Sequence, residues 1–528
     1  MKATFRQSMG WLHTWVGLVV GWVLFFMFLT GTAGYFDEEI GRWMQPERPF
    51  AQAAWSMDDA AILGLGRLAA AAPKAERWFI GFPDHRSPDL YLFWRNPPEP
   101  DGQDATSGSE TLDPATGTPV EYRDTGGGQL LYRMHWRLHY MPVRTAEWIV
   151  GACTMFMFVA MLTGVIIHKR IFRDFFTFRP RKGQRSWLDA HNVLSVMALP
   201  FHLMITWSGL LFFGYLYMAP VVAASYGFGE AAQQTYFDEL FGRDGIPARA
   251  IVAAPLTPLQ PLLRAAESRM GAGQVRFVNV YNPGDANARI VIAGGPLTPS
   301  RHRTEMTFDG ATGELLRASV PRSAPLVTYQ TLLGLHEGLF AGPVLRWVYF
   351  LSGLMGTAMI GAGLVLWTTK RRAKSGDTFG FRLVERLNIG TIAGLPVAIA
   401  AYFWANRLIP VGIEGRAAWE AQAMFIAWAV MLAHAFIRPA SRGWAEQLWV
   451  AAGAFSLLPV LNALTTDKHL GVTLPAGAWE LAGFDLTVLA FGIAFAVVAW
   501  RFGHRRRSDT AHDEKAWTPA HQETEAAE

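Results

Sequence analysis

Cysteine is nearly missing from this 528-residue chain, and the single one is Cys153. One thiol rules out an internal disulfide, a cysteine-ligated iron–sulfur cluster and haem attached through a C-x-x-C-H motif. Charge is also scarce. Asp, Glu, Lys and Arg make up 17% of the residues, against roughly 25% in a typical soluble domain. There is no Walker A sequence, no Gly-x-Ser-x-Gly and no H-E-x-x-H. Gly64-Leu-Gly66 and Gly361-Ala-Gly363 lack the strand-to-helix context of a dinucleotide turn. These absences remove nucleotide-binding, flavin, serine-hydrolase and zinc-peptidase readings. The formal net charge is only +4, with Lys and Arg gathered beside apolar runs. That pattern marks membrane topology and argues against a nucleic-acid surface.

What the chain has in abundance is apolar length. Hydrophobic residues reach 51%, with 21 Trp and 35 Phe. The expected fold class is mainly α, a polytopic helical membrane protein of about eight spans with two α+β insertions. The expected division begins with a first span in 1–39, a first insertion in 40–143 and a second span in 144–168. A basic turn follows at 169–186, a third span at 187–218, a second insertion at 219–343 and a fourth span at 344–368. Residues 387–502 read as a bundle of four further spans and 503–528 as a tail. Each run is long enough for a hydrocarbon core of about 30 Å. The first run exceeds a signal-peptide core and lacks a small-x-small cleavage site, so it reads as a retained span. Lys169, Arg170, Arg173, Arg179, Arg181, Lys182 and Arg185 follow the second span, and Lys370, Arg371, Arg372 and Lys374 follow the fourth. By the positive-inside rule both termini and these turns face the cytoplasm, and both insertions lie outside.

Residues 1–372 read as a tandem duplication. His13 precedes Gly31 by 18 positions, and His191 precedes Gly209 by 18. His139 precedes Gly164 by 25, and His336 precedes Gly361 by 25. Asp113-Pro-Ala-Thr-Gly117 and Asp309-Gly-Ala-Thr-Gly313 close the two insertions as Asx-type turns with a glycine for positive φ. Before them come helical spacings at 57–72 and 258–270 and strands at 90–94 and 289–293. Each insertion is expected to be a small α+β domain.

Ionisable or ligating groups inside a bilayer are costly and are functional candidates by default. His191 and His202, 11 residues apart, are expected on one face of one helix, about 16 Å apart along its axis. His13, His139, His191 and His336 occupy repeat-equivalent places at two depths, while His202 and His168 have no repeat partner. Neutral imidazoles held between facing helices suit axial ligation of haem iron, so all six are candidate cofactor ligands. Two levels would hold two haems. Spacing leaves open which histidines share an iron. His135, flanked by Arg133 and Arg137, reads as an interfacial residue, because its repeat position holds Leu332. The last four spans do not repeat the pattern. They read as an appended bundle whose polar residues Glu420, Asn462 and Asp485 sit near span ends.

Leu12-His13-x-x-x-Gly17 with Leu29-Thr30-Gly31, Leu138-His139 with Leu162-Thr163-Gly164, and Leu335-His336-x-Gly338 together resemble the PepSY-associated transmembrane family. The two Asp-x-x-Thr-Gly elements resemble the ends of PepSY-type domains. The resemblance spans about residues 8 to 372, and with the extra spans the chain looks most like PiuB-type iron-regulated proteins, related to FoxB-type siderophore reductases. It departs from the pattern at Ser195, where the first repeat has Gly17. The resemblance implies a bacterial inner-membrane protein with two haem b groups. Such a protein passes electrons from a quinol or a cytoplasmic reductase to a ferric siderophore in the periplasm and releases Fe(II). Two other classes compete: a membrane-anchored, non-catalytic binding module and a transporter.

Overall fold

The computed structural model describes residues 4–49, 55–84, 86–98, 105–113, 115–168, 178–180, 182–241, 246–301, 303–319 and 323–516. Lys169, Arg170, Arg173 and Arg181 of the basic turn lie outside the described residues, as does the end of the tail.

Helix α1 (Phe5–Ala33) opens on a capping box between Thr4 and Gln7 and leads into α2 (Asp37–Met44). The first insertion holds α3 (Met57–Ala71), β1 (Arg77–Gly81), β2 (Leu90–Arg95), β3 (Ser107–Leu112) and the short entry helix α4 (Gly127–Arg137). Then come α5 (Val143–Ile167), α6 (Gln184–Met197) and α7 (Leu199–Phe212). Short helices α8 (Gly214–Tyr217), α9 (Ala219–Tyr226) and α10 (Glu230–Phe241) follow. The second insertion continues through α11 (Leu259–Met270), β4 (Val275–Tyr281), β5 (Arg289–Gly294), β6 (Thr304–Asp309), β7 (Leu315–Ala318) and the entry helix α12 (Ala324–Glu337). The rest is helical: α13 (Pro343–Ser375), α14 (Phe379–Ile392), α15 (Gly394–Leu408), α16 (Arg416–Ile437), α17 (Ala440–Ser456), α18 (Leu458–Thr465), α19 (Leu470–Thr473) and α20 (Trp479–Ala516).

Among the described residues, 7 segments are long and apolar enough to cross a membrane, and an eighth crossing exists if α6 and α7 count as one. These two helices meet at a 70° bend. Pro200 stands two residues past the break, where its ring opposes the carbonyl four residues back and it has no N–H to donate. The straight helix expected to carry both His191 and His202 is therefore broken. Their imidazoles belong to different helices.

The two insertions do not form separate domains. Their strands make one antiparallel sheet in the order β3-β2-β1-β4-β5-β6-β7, joined where β1 pairs with β4 from Arg77↔Tyr281 to Gly81↔Phe277. In an isolated domain β1 would be an open edge, and pairing with its repeat counterpart removes that edge. Alternation then sorts the faces. Trp78, Ile80, Val278 and Val280 are buried in one core with α3 and α11. On the other face Phe79 stacks on Phe277 at 5.4 Å, and Arg77 donates to Asn279 at 2.8 Å. The closing turns form as expected. The Asp113 carboxylate accepts from the N–H groups of Ala115 and Thr116 at 2.7 and 3.0 Å. The Asp309 carboxylate does the same for Ala311 and Thr312 at 3.0 and 2.9 Å.

The last four spans are stitched into the duplicated unit. Arg416 and Glu420 form a fully buried ion pair on α16. Glu420 also accepts from the Thr125 hydroxyl at 2.5 Å and the Gly126 N–H at 3.2 Å, at the start of α4. Tyr402 donates to the Gly127 carbonyl at 2.9 Å. Farther along, Asp485 accepts from the Trp43 indole at 2.9 Å and from Asn462 at 3.0 Å. The Arg407 guanidinium lies 3.8 Å over the Trp43 ring. Groups that sequence placed at span ends are thus a buried polar latch on α2 and α4.

Candidate functional site

Four imidazoles meet in two pairs. His13 on α1 faces His191 on α6, with ring centroids 6.1 Å apart and planes at 73°. His135 on α4 faces His336 on α12, also at 6.1 Å, with planes at 44°. The first pair lies near the N-terminal end of α1, far from the sheet. The second packs at its other end, against Gly31. His13 and Gly31 are about 27 Å apart at 1.5 Å per residue.

One arrangement positions all four rings. His13 donates through Nδ1 to the Ala160 carbonyl at 2.8 Å, His135 to Met27 at 2.7 Å and His191 to Met359 at 2.9 Å. The His336 ring lies near the Ile205 carbonyl, and its Nδ1 is 3.0 Å from the Ser208 hydroxyl. Four residues after each of these carbonyls stands a glycine: Gly164, Gly31, Gly363 and Gly209. In a helix that glycine's N–H already bonds the same carbonyl, so the imidazole uses the second lone pair. A side chain at i+4 would lean back over the carbonyl and close that approach. A Cβ at Gly31 would stand 2.5 Å from His135 Nδ1. At Gly164, Gly363 and Gly209 it would stand 3.3, 3.2 and 3.2 Å from Cε1 of His13, His191 and His336. Because a carbonyl only accepts, Nδ1 of His13, His135 and His191 carries the proton and Nε2 keeps its lone pair free.

The other sequence candidates stand elsewhere. His139 is not opposite His336. It follows the left-handed Leu138 that ends α4, and its ring stacks on Phe425 at 5.4 Å. His135, read from sequence as interfacial, takes the place in the pair. Gly363, and not Gly361, is the glycine beneath His191. A Cβ on Gly361 would meet Phe25. His202 is fully buried on α7 and donates to the Ser352 carbonyl at 3.2 Å without meeting another histidine ring in a pair. His168 ends α5 and joins neither pair. At the sheet-side pair the neighbouring Glu337 carboxyl is pushed above its usual range by burial, with Arg301 and Arg303 opposing.

The donor set fits haem b. Two imidazoles on one iron, each at a metal–nitrogen bond of about 2 Å, place ring centroids about 6 Å apart, the spacing both pairs have. Among the described residues no group of three or more His, Cys, Asp and Glu gathers for a metal ion. Each pair would offer two imidazole nitrogens to such a group.

A family model for the PepSY-associated TM region matches residues 10–370. That stretch contains all four paired histidines, their four glycines and the whole sheet. A comparison with curated proteins found no match. With well over half of its length matched, this chain belongs to the PepSY-associated transmembrane family.

Proposed function

We propose that the protein is a di-haem b oxidoreductase of the bacterial inner membrane, of the kind seen in PiuB-type and FoxB-type siderophore reductases. It carries single electrons across the bilayer to a ferric siderophore. The observation that supports this reading best is the two histidine pairs at opposite ends of α1, both 6.1 Å apart. Haem b held in each pair supplies a one-electron centre at each level. His13 and His191 would hold the cytoplasmic-side group, and His135 and His336 would hold the one beneath the sheet. The Nδ1–H bonds of His13, His135 and His191 to carbonyls fix their tautomer and ring orientation and raise the basicity of Nε2. The surrounding apolar helices keep water from both levels. With haem so held, the far pair would face an electron donor, a quinol or a cytoplasmic reductase, and the sheet-side pair would face the acceptor. There one electron converts chelated Fe(III) to Fe(II), which oxygen donors hold less firmly. By the positive-inside rule, the clusters of Lys and Arg support cytoplasmic termini and a periplasmic sheet.

The test is anaerobic mixing of reduced, purified protein with a ferric tris-hydroxamate. A reduced-form spectrum that returns to the oxidised form, with one Fe(II) trapped per electron lost, is the expected result. Coloured protein that stays reduced would remove the siderophore as acceptor. Colourless protein would leave only a membrane-anchored binding module.

A further inference from the structure

Haem ligation leaves unused a cavity of about 570 Å³ at the sheet end, between α2, α4 and the start of α16. At its edge the chain makes three consecutive left-handed residues, Leu138, His139 and Tyr140, at φ of 52°, 45° and 48°. Side chains with a Cβ avoid this region, and such strain is kept where the surroundings enforce it, often at ligand sites. Here it sets two aromatic rings at the cavity mouth. His139 stacks on Phe425 with planes 9° apart, and Tyr140 lies against His139 at 4.2 Å. Tyr140 is 64% exposed. The other wall carries arginines of two kinds. Arg42 and Arg48 are both held by Asp89, and Arg86 by Glu39. Arg133 lines the same cavity and has no ion pair among the described residues. Gly126, Gly127 and Gly128 present bare backbone along the side shared with α4.

We infer that this cavity receives the ferric chelate, with His139 and Tyr140 against its carbon skeleton and Arg133 against its oxygen donors. The inference rests on the reductase reading and supplies its acceptor site. A volume of this order suits a compact ligand. α4, which carries His135, forms one wall, so a chelate here is about one helix width, 10 Å, from the sheet-side pair. His139, expected from sequence to bind a cofactor, instead recognises substrate. α16 contributes Ala417, Ala418 and Gln422 to the lining, which gives the last four spans a share in specificity.

The experiment uses the full-length haem-loaded protein in lipid nanodiscs and a redox-inert probe, gallium(III) tris-hydroxamate, titrated calorimetrically. Wild type should bind. The double variant His139→Ala with Tyr140→Ala, and separately Arg133→Gln, should bind about tenfold more weakly with both haems retained. Ala418→Trp, which fills the cavity from the α16 side, should do the same. With the iron chelate, the concentration for half-maximal reoxidation should rise while the saturating rate stays. Failure of wild-type protein to bind gallium chelate would overturn the inference. So would equal binding by all variants, which would make His139 and Tyr140 headgroup anchors. Both results leave the reductase reading intact if ferric chelate still reoxidises the protein, whereas colourless protein refutes that reading separately.

Discussion

His13 stands on the span α1 and His191 on the first half of the bent pair α6–α7, and they grip the carbonyls of two spans, α5 and α13. His135 and His336 stand on the short entry helices α4 and α12, outside the spans, and reach in to carbonyls of α1 and α7. The carbonyl-and-glycine arrangement is the same in both pairs, but the far pair is fixed by the core of the bundle. The sheet-side pair depends on what holds two short helices. For α4 that is the latch from Glu420 and Tyr402 to Thr125, Gly126 and Gly127. The comparison teaches that a ring can be aimed identically and still differ in how easily it is lost.

The largest contrast comes from the rings themselves. His13→Ala or His191→Ala should remove one haem and leave the sheet-side one. His135→Ala or His336→Ala should do the reverse, read from haem content and absorbance. His139→Ala should remove neither, and loss of a haem there would break the pairing. Next in size is Glu420→Ala. Stranding the buried Arg416 should cost about 3–5 kcal/mol of stability, seen as a lower thermal midpoint. The sheet-side haem should be lost first on heating, and simultaneous loss of both would deny the latch its selectivity.

Gly31→Ala and Gly164→Ala sharpen the comparison further. The first drives a Cβ to 2.5 Å from His135 Nδ1, the second only to 3.3 Å from His13 Cε1. Gly31→Ala should weaken sheet-side haem retention about tenfold or more, the usual cost of disturbing a ligand's hydrogen-bonded support. Gly164→Ala should change the far haem little, as competition with apomyoglobin would report. The smallest effect is one of pH. The Thr312 N–H, with those of Ala311 and the Thr312 hydroxyl, holds the Asp309 carboxyl below its ordinary value despite opposing burial. A depressed carboxylate stabilises the fold fully above its unfolded pKa of about 4, and that contribution fades as pH falls lower. Acid should therefore loosen the second half of the sheet, by hydrogen exchange, and Asp309→Asn should flatten that dependence.

Much of this was legible. The duplication, the spans, the Asx turns and three of the four paired histidines follow from spacing and apolar period. His135 did not, because Leu138-His139 copies Leu335-His336 while α4 ends between them. α12 announces its end with Gly338, in left-handed conformation, but α4 ends on Leu138 with nothing in its side chain to mark it. The glycines were visible, but their carbonyl partners are four residues upstream on a different helix from the ring. Pro200 marks the bend that parts His191 from His202. The single sheet was hidden for another reason. A period of two reveals which face of β1 is buried and nothing about which strand lies beside it. Glu420 and Asp485 stand out as acids in apolar runs, while their partners Thr125 and Trp43 lie hundreds of residues away.

Haem counted per polypeptide by the pyridine haemochrome spectrum, on protein expressed with ample haem supply, tests the account at its root. Two b-type haems per wild-type chain are predicted, falling to none when His13 and His135 are both replaced by alanine. Wild-type protein that carries none, or a double variant that keeps both, would contradict it.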